Sequence, residues 1–170
     1  MKSDKNLVLI GMMGSGKSTI GILLSKKINL EFIDIDNYIE NEEGMKIHEI
    51  FEKKGEKYFR KIELNKTLKA LDKKSTIISL GGGGFVNDII RKKILSSHIS
   101  VWLNWNTLTI KKRIKNNKKR PLAIKLSGSQ INKMILERSK KYSLAKYKID
   151  CENLSKDEIV KKIKNLYENY

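Results

Sequence analysis

The residues best equipped for chemistry lie near the start of the chain, where Gly11-Met12-Met13-Gly14-Ser15-Gly16-Lys17-Ser18 is followed by Thr19. Glycines at this spacing let consecutive backbone N–H groups turn toward one anion, and a helix opening at Lys17 adds its positive end. Lys17 then reaches the β/γ-phosphates of a nucleotide, and the Ser18 hydroxyl meets Mg²⁺. The run satisfies GxxxxGK(S/T), a phosphate-binding loop (P-loop). Its lysine is expected to stand exposed, with its charge directed at phosphate and not into the core.

Two carboxylates come next. Ile33-Asp34-Ile35-Asp36 closes an extended run, so Asp34 and Asp36 are expected on one side of a strand, one for the metal and one for a substrate. The same residues also suit a helix cap, with Asp36 standing before a helix that begins near Asn37. A P-loop enzyme ordinarily keeps a metal-binding Asp after a further strand. Here Thr76 to Leu80 runs instead into Gly81-Gly82-Gly83-Gly84, which leaves Asp34 as the metal's carboxylate. Four glycines bring bare backbone up to a small ligand, or else form a plain loop. Arg60 and Glu63 share a helical face at i, i+3, where the carboxylate can fix the guanidinium; a surface ion pair has the same spacing. Lys118-Lys119-Arg120-Pro121 contains the one proline, which ends the preceding helix. Residues 116–128 therefore read as a basic, mobile lid able to bring Arg120 onto a transferring phosphoryl group. Arg138, with Tyr142 one turn further along a later helix, completes the set.

Positioning these groups requires a scaffold, and the apolar pattern supplies one. Short apolar runs at 7–11, 31–36, 76–80, 99–103 and 147–150 read as strands. Helical periodicity fills 17–28, 45–72 with a break near Gly55, 87–95, 107–116, 129–145 and 155–167, the last opened by a Ser155/Glu158 capping box. Strands alternating with helices predict a parallel sheet covered on both faces, with ligands beyond the carboxyl ends of the strands. A chain of 170 residues suits one domain. With 39% hydrophobic and 32% charged residues, wholesale disorder is excluded. No apolar run nears the ~20 residues of a membrane span, and Lys2, Asp4 and Lys5 open no secretory pattern, so the expected place is the cytoplasm. The single cysteine, Cys151, allows no internal disulfide and reads as a small buried residue. Neither His48 nor His98 has a partner at catalytic spacing. The net charge of +17 invites a nucleic-acid reading, yet only five of the 36 basic residues are arginine and the lysines are dispersed, as on a solvated surface.

Taken in order over essentially the whole chain, GMMGSGKST, DID, FRKIE, LGGGG, KRPL and ERSKKY resemble the shikimate kinase family. The resemblance implies a three-layer α/β/α P-loop NTPase fold with a five-stranded parallel sheet, like that of nucleoside-monophosphate kinases. It implies one kinase domain over 1–170, with a substrate-binding helical segment at 37–72 and a mobile lid at 116–128. The implied reaction is ATP-dependent phosphorylation of the 3-hydroxyl of shikimate to shikimate 3-phosphate, on the route to chorismate and the aromatic amino acids. Carried over by position, Gly14, Ser15, Gly16, Lys17, Ser18 and Thr19 hold the nucleotide phosphates, and Ser18 and Asp34 hold Mg²⁺. Asp36, Arg60, Gly82, Gly83 and Arg138 hold shikimate, and Lys17, Asp36 and Arg120 act in catalysis. Arg113 and the loop from Cys151 to Asn153 match positions near the adenine. One departure is Lys140, where the family usually has a proline two residues after the arginine. A monomer without specific nucleic-acid or membrane partners is expected. The alternatives are a P-loop kinase for gluconate or a nucleoside monophosphate, and a basic module whose nucleic-acid binding is regulated by nucleotide.

Overall fold

The computed structural model describes residues 4–116 and 126–170. Five strands, β1 (Leu7–Ile10), β2 (Glu31–Asp34), β3 (Thr76–Ser79), β4 (Ile99–Asn104) and β5 (Tyr147–Asp150), form one all-parallel sheet in the order β2-β3-β1-β4-β5. β1 is central: Leu7 pairs with Ile77 on one side and Ile99 on the other. The connecting helices are α1 (Lys17–Ile28), α2 (Ile35–Glu43), α3 (Ile47–Leu71), α4 (Asp88–Ser97), α5 (Thr107–Lys115), α6 (Gly128–Tyr142) and α7 (Lys156–Glu168).

Side chains alternate across a strand, so each strand feeds two cores. Leu7 and Leu9 of β1 pack with Ile20 and Leu24 of α1 and with Ile159 and Ile163 of α7. Val8 and Ile10 face the opposite way, onto Ile39, Phe59, Ile90, Ile114, Ile131 and Tyr142 from the other helices. The inner strands β3, β1 and β4 are buried on both faces, which is why they read as continuous apolar runs, whereas the edge strands β2 and β5 stay partly exposed. Buried Asn6 ties the amino end of the sheet: its amide donates to Leu71 O (2.9 Å) and Lys73 O (2.7 Å), and its carbonyl accepts from Thr76 N (3.0 Å).

Most expected elements fall within a residue or two of their places, and α3 is indeed broken at Gly55, whose backbone is not helical. Two expectations need correction. The second strand stops at Asp34, because the Asp34 side chain accepts from Asn37 N (3.2 Å) and starts α2 at Ile35. The helix expected over 129–145 starts one residue earlier, through a Ser127/Gln130 capping box, and ends at Tyr142. It passes through Lys140 without interruption. Of the expected lid, residues 117–125, with Arg120 and Pro121, lie outside the described residues.

Candidate active site

The carboxyl end of β1 delivers the chain directly into residues 11–16, and α1 starts at Lys17. Gly14 and Gly16 take φ of 79° and 88°, left-handed values open to glycine at little cost, and Ser15 N closes the turn onto Met12 O at 3.1 Å. The expectation for Lys17 is overturned, since its side chain is buried and not exposed. Its ammonium donates to Gly11 O (2.8 Å), Met12 O (2.9 Å) and Ser15 Oγ (3.4 Å), so the cation sits inside the loop it serves.

Ser18, in the first turn of α1, donates its hydroxyl to the Asp34 carboxylate at the end of β2. Two hard oxygen groups thus converge beside the loop, a donor set that suits Mg²⁺ when nucleotide phosphates supply the remaining ligands. Asp34 is doubly fixed because it also caps α2.

Asp36 is not the strand residue expected. It stands in the first turn of α2, where its direction is set by the helix and not by strand alternation. It nevertheless reaches the glycine loop: a Cβ added at Gly81 would lie 2.6 Å from Asp36 Oδ1 and 2.9 Å from Glu63 Oε1. Glu63 proves to be a buried anchor and not a surface charge, with its side chain 3% exposed. Its Oε2 accepts from Arg60 Nη1 at 2.7 Å, while Arg60 Nε and Nη2 both donate to Glu56 Oε1 at 3.2 Å. Burial pushes the Glu63 carboxyl above the usual carboxylate range; Arg60 opposes this, Asp36 adds to it, and Arg138 opposes it further.

The loop and these arginines approach so closely that a side chain on the glycines would press on the guanidinium groups. A Cβ at Gly83 would lie 2.5 Å from Arg60 Nη1, and one at Gly82 would lie 3.1 Å from Arg138 Nη1. The Gly82 carbonyl accepts from the Tyr142 hydroxyl, which also lies 3.6 Å from Met12 Sδ, so one buried phenol ties the glycine loop to the P-loop. Arg91, mostly buried on α4, donates to Phe85 O (3.1 Å) and Val86 O (2.9 Å) and braces the short 3₁₀ turn Gly84–Val86 behind the glycines. Two buried polar atoms in this cluster, Arg138 Nη1 and Glu63 Oε1, have no hydrogen-bond partner among the described residues. An orphaned donor and an orphaned acceptor beside bare backbone mark a place for a polar ligand.

On the far side of the P-loop, Arg113 Nη1 donates to Gly14 O (3.2 Å) and its guanidinium lies on the Trp105 ring. The Cys151–Asn153 loop comes close by. Glu152 accepts from Thr109 Oγ1 (2.5 Å) and Asn106 N (3.0 Å), and these two groups, with Arg113 behind them, hold its carboxyl below the usual range. Cys151 is fully buried, as expected, and burial pushes its thiol up to about 12. Both ring nitrogens of His98 are buried without partners among the described residues, and burial lowers its pKa.

The sequence-derived residues within the described part thus fall into a P-loop group (Gly14 to Thr19, Asp34, Arg113) and a group around the glycine loop (Asp36, Arg60, Gly82, Gly83, Arg138), joined through Tyr142 and Met12. Sequence reasoning missed Trp105, whose Nε1–H donates to Ser15 O at 2.9 Å. The available signal was its position immediately after β4, at the ligand-binding end of the sheet.

Comparison with known proteins agrees with this architecture. The family model described as Shikimate kinase matches residues 13–168. A shikimate kinase of Sulfurihydrogenibium sp. (strain YO3AOP1) is 39% identical over 159 residues, covering 94% of this chain and 95% of that protein. Among solved structures, the shikimate kinase from Acinetobacter baumannii in complex with shikimate superposes with a TM-score of 0.89 at 28% identity, covering 97% of this chain and 93% of that one. The shikimate kinase from Aquifex aeolicus superposes with a TM-score of 0.84 at 34% identity, covering 96% of both chains.

Proposed function

This chain belongs to the shikimate kinase family, and from that premise we propose how its residues divide the work of moving the γ-phosphoryl group of ATP onto the 3-hydroxyl of shikimate. The observation that carries the reading is the convergence of Arg60, Arg138 and Asp36 on the glycine loop 81–83, beside a P-loop. Two guanidinium groups from different helices suit a carboxylate, and the acid beside them suits ring hydroxyls.

In this reading Arg60 and Arg138 clamp the acceptor carboxylate, with the backbone of Gly82 and Gly83 against the ring. Asp36 accepts a hydrogen bond from the attacking hydroxyl and takes its proton as the new O–P bond forms and the bond from the γ-phosphorus to the bridging oxygen of ADP breaks. Lys17 exchanges its loop carbonyls for phosphate oxygens, which are stronger acceptors for an ammonium, while the N–H groups of residues 14–19 cradle the phosphates. Ser18 and Asp34 would hold Mg²⁺, which when bound offsets the charge of the β- and γ-phosphates. Arg120, outside the described residues, is assigned the transferring group from the lid at 116–128, and Arg113 with the 151–153 loop the adenine side. We further infer that residues 1–170 act as one kinase unit, monomeric and cytoplasmic. Among the described residues no helix is long and apolar enough to cross a membrane.

A coupled ADP-release assay tests the reading. Turnover is expected with shikimate, dependent on Mg²⁺, and absent with gluconate and nucleoside monophosphates. Turnover with either of those acceptors and none with shikimate would overturn it.

A further inference from the structure

Trp105 and Arg113 form a stacked pair against the P-loop, with Arg113 Cζ 3.8 Å from the Trp105 ring centroid. Each partner also holds a carbonyl of the loop: Trp105 Nε1–H donates to Ser15 O (2.9 Å) and Arg113 Nη1 to Gly14 O (3.2 Å). The described peptide bonds are all trans, so a carbonyl and the N–H that follows it point in opposite directions. Fixing Ser15 O therefore aims the Gly16 N–H to the other side of the loop, and fixing Gly14 O supports the turn in which Ser15 N donates to Met12 O. Both anchors come from a segment 90 or more residues away in sequence.

We propose that Trp105 is a positioning residue for nucleotide binding. Its indole N–H and its ring, acting through Arg113, set the orientation of two P-loop peptides before phosphate arrives. Setting a loop in advance lowers the ordering cost of binding, so the gain should fall on nucleotide affinity and not on the acceptor. The inference rests on the reading of residues 11–18 as the nucleotide site.

The test uses the full chain and ADP titrated by calorimetry without acceptor. Trp105→Phe keeps an aromatic face for Arg113 but loses the N–H, and is expected to weaken ADP binding by about five-fold, the worth of one net hydrogen bond. Trp105→Leu loses both contacts and should weaken it further. The shikimate KM should stay within about two-fold in both variants, a split that general loosening of the fold would not produce. Arg113→Met, alone and combined with Trp105→Leu, completes a double-mutant cycle in which the two penalties should be less than additive, because each variant breaks the same stack. Wild-type ADP affinity in Trp105→Phe, equal losses for ADP and shikimate, or strictly additive penalties would each overturn the proposal. Failure of the unsubstituted chain to bind ADP would instead remove the nucleotide-site reading, and the proposal with it.

Discussion

Gly83→Ala isolates the acceptor side of the site with one methyl group. Gly83 has φ −95° and ψ −14°, which alanine adopts freely, so the backbone itself imposes no strain. The methyl carbon, however, would lie 2.5 Å from Arg60 Nη1 and 3.0 Å from both Cζ and Nη2. Ordinary contact needs about 3.5 Å, so the guanidinium must retreat by about 1 Å, enough to break its bond to Glu63. Losing a hydrogen bond to a charged group costs about 1.5–3 kcal/mol, or roughly 10- to 100-fold in acceptor KM if Arg60 is the carboxylate clamp. The ATP KM should change by less than about two-fold. Stability falls less, by about 1–2 kcal/mol, a drop in Tm of roughly 2–8 °C, because the Arg60 side chain, 35% exposed, can keep its bonds to Glu56 and turn its freed Nη1 to water. Its pH dependence has a definite sign. The Glu63 carboxyl is already raised by burial, and without Arg60 it rises further. A group whose folded-state pKa lies above its unfolded value adds stability at low pH that is lost as pH rises through the folded value. The Tm deficit of Gly83→Ala should therefore be smaller at pH 5 than at pH 8. The decisive assay is steady-state kinetics by coupled ADP release in four proteins: wild type, Gly83→Ala, Arg60→Ala and the double variant. Once Arg60 is gone, the added methyl should cost almost nothing further. A penalty from Gly83→Ala as large without Arg60 as with it, or an equal loss of ATP and acceptor affinity, would refute the reasoning.

Lys17→Ala is expected to lower kcat by about 10²-fold or more and, because the buried ammonium braces three loop acceptors, also to lower Tm by a few degrees in a thermal melt; an unchanged kcat would refute the P-loop assignment. Asp34→Asn keeps a good helix cap but loses a charge at the metal position, so circular dichroism should stay the same while half-maximal activity needs roughly ten-fold or more Mg²⁺. Cys151, buried and with its thiol at about 12, should react with a disulfide reagent at pH 8 at least about 100-fold more slowly in the native protein than in urea; rapid native labelling would contradict its burial.

Much of this protein is legible in its residues because the physics involved is local. The P-loop needs only glycines able to take positive φ at 14 and 16, a lysine and a helix start, and all of these lie within eight residues. The inner strands declare themselves as apolar runs because a parallel sheet with helices on both faces buries nearly every position of β1, β3 and β4. The family's motifs, kept in order along the chain, singled out Asp36, Arg60, Gly82, Gly83 and Arg138, which the fold brings together around the glycine loop. Local rules failed where two of them competed. Asp34-Ile35-Asp36 satisfies strand alternation as well as helix capping, and the cap formed by Asp34 ended the strand, so Asp36 came to the glycine loop on the first turn of a helix.

The remaining features were decided by contacts between distant segments, which no spacing rule encodes. Lys17 is an exception of another kind: its partners Gly11 O, Met12 O and Ser15 Oγ are near in sequence, and its burial is set by how the loop curls around the ammonium, which residue types alone do not show. Glu63 becomes a buried acid instead of half of a surface pair because Asp36 from α2 and the loop at 81–84 close over α3. Trp105 reaches Ser15 only because β4 lies beside β1 in the sheet, which brings the chain leaving its carboxyl end alongside the P-loop. Residue types and their spacing were enough to nominate the groups suited to the chemistry. Their burial and their partners come from the fold, because burial is a property of everything packed around a side chain and not of its neighbours along the chain; for Glu63 that burial also raises the pKa.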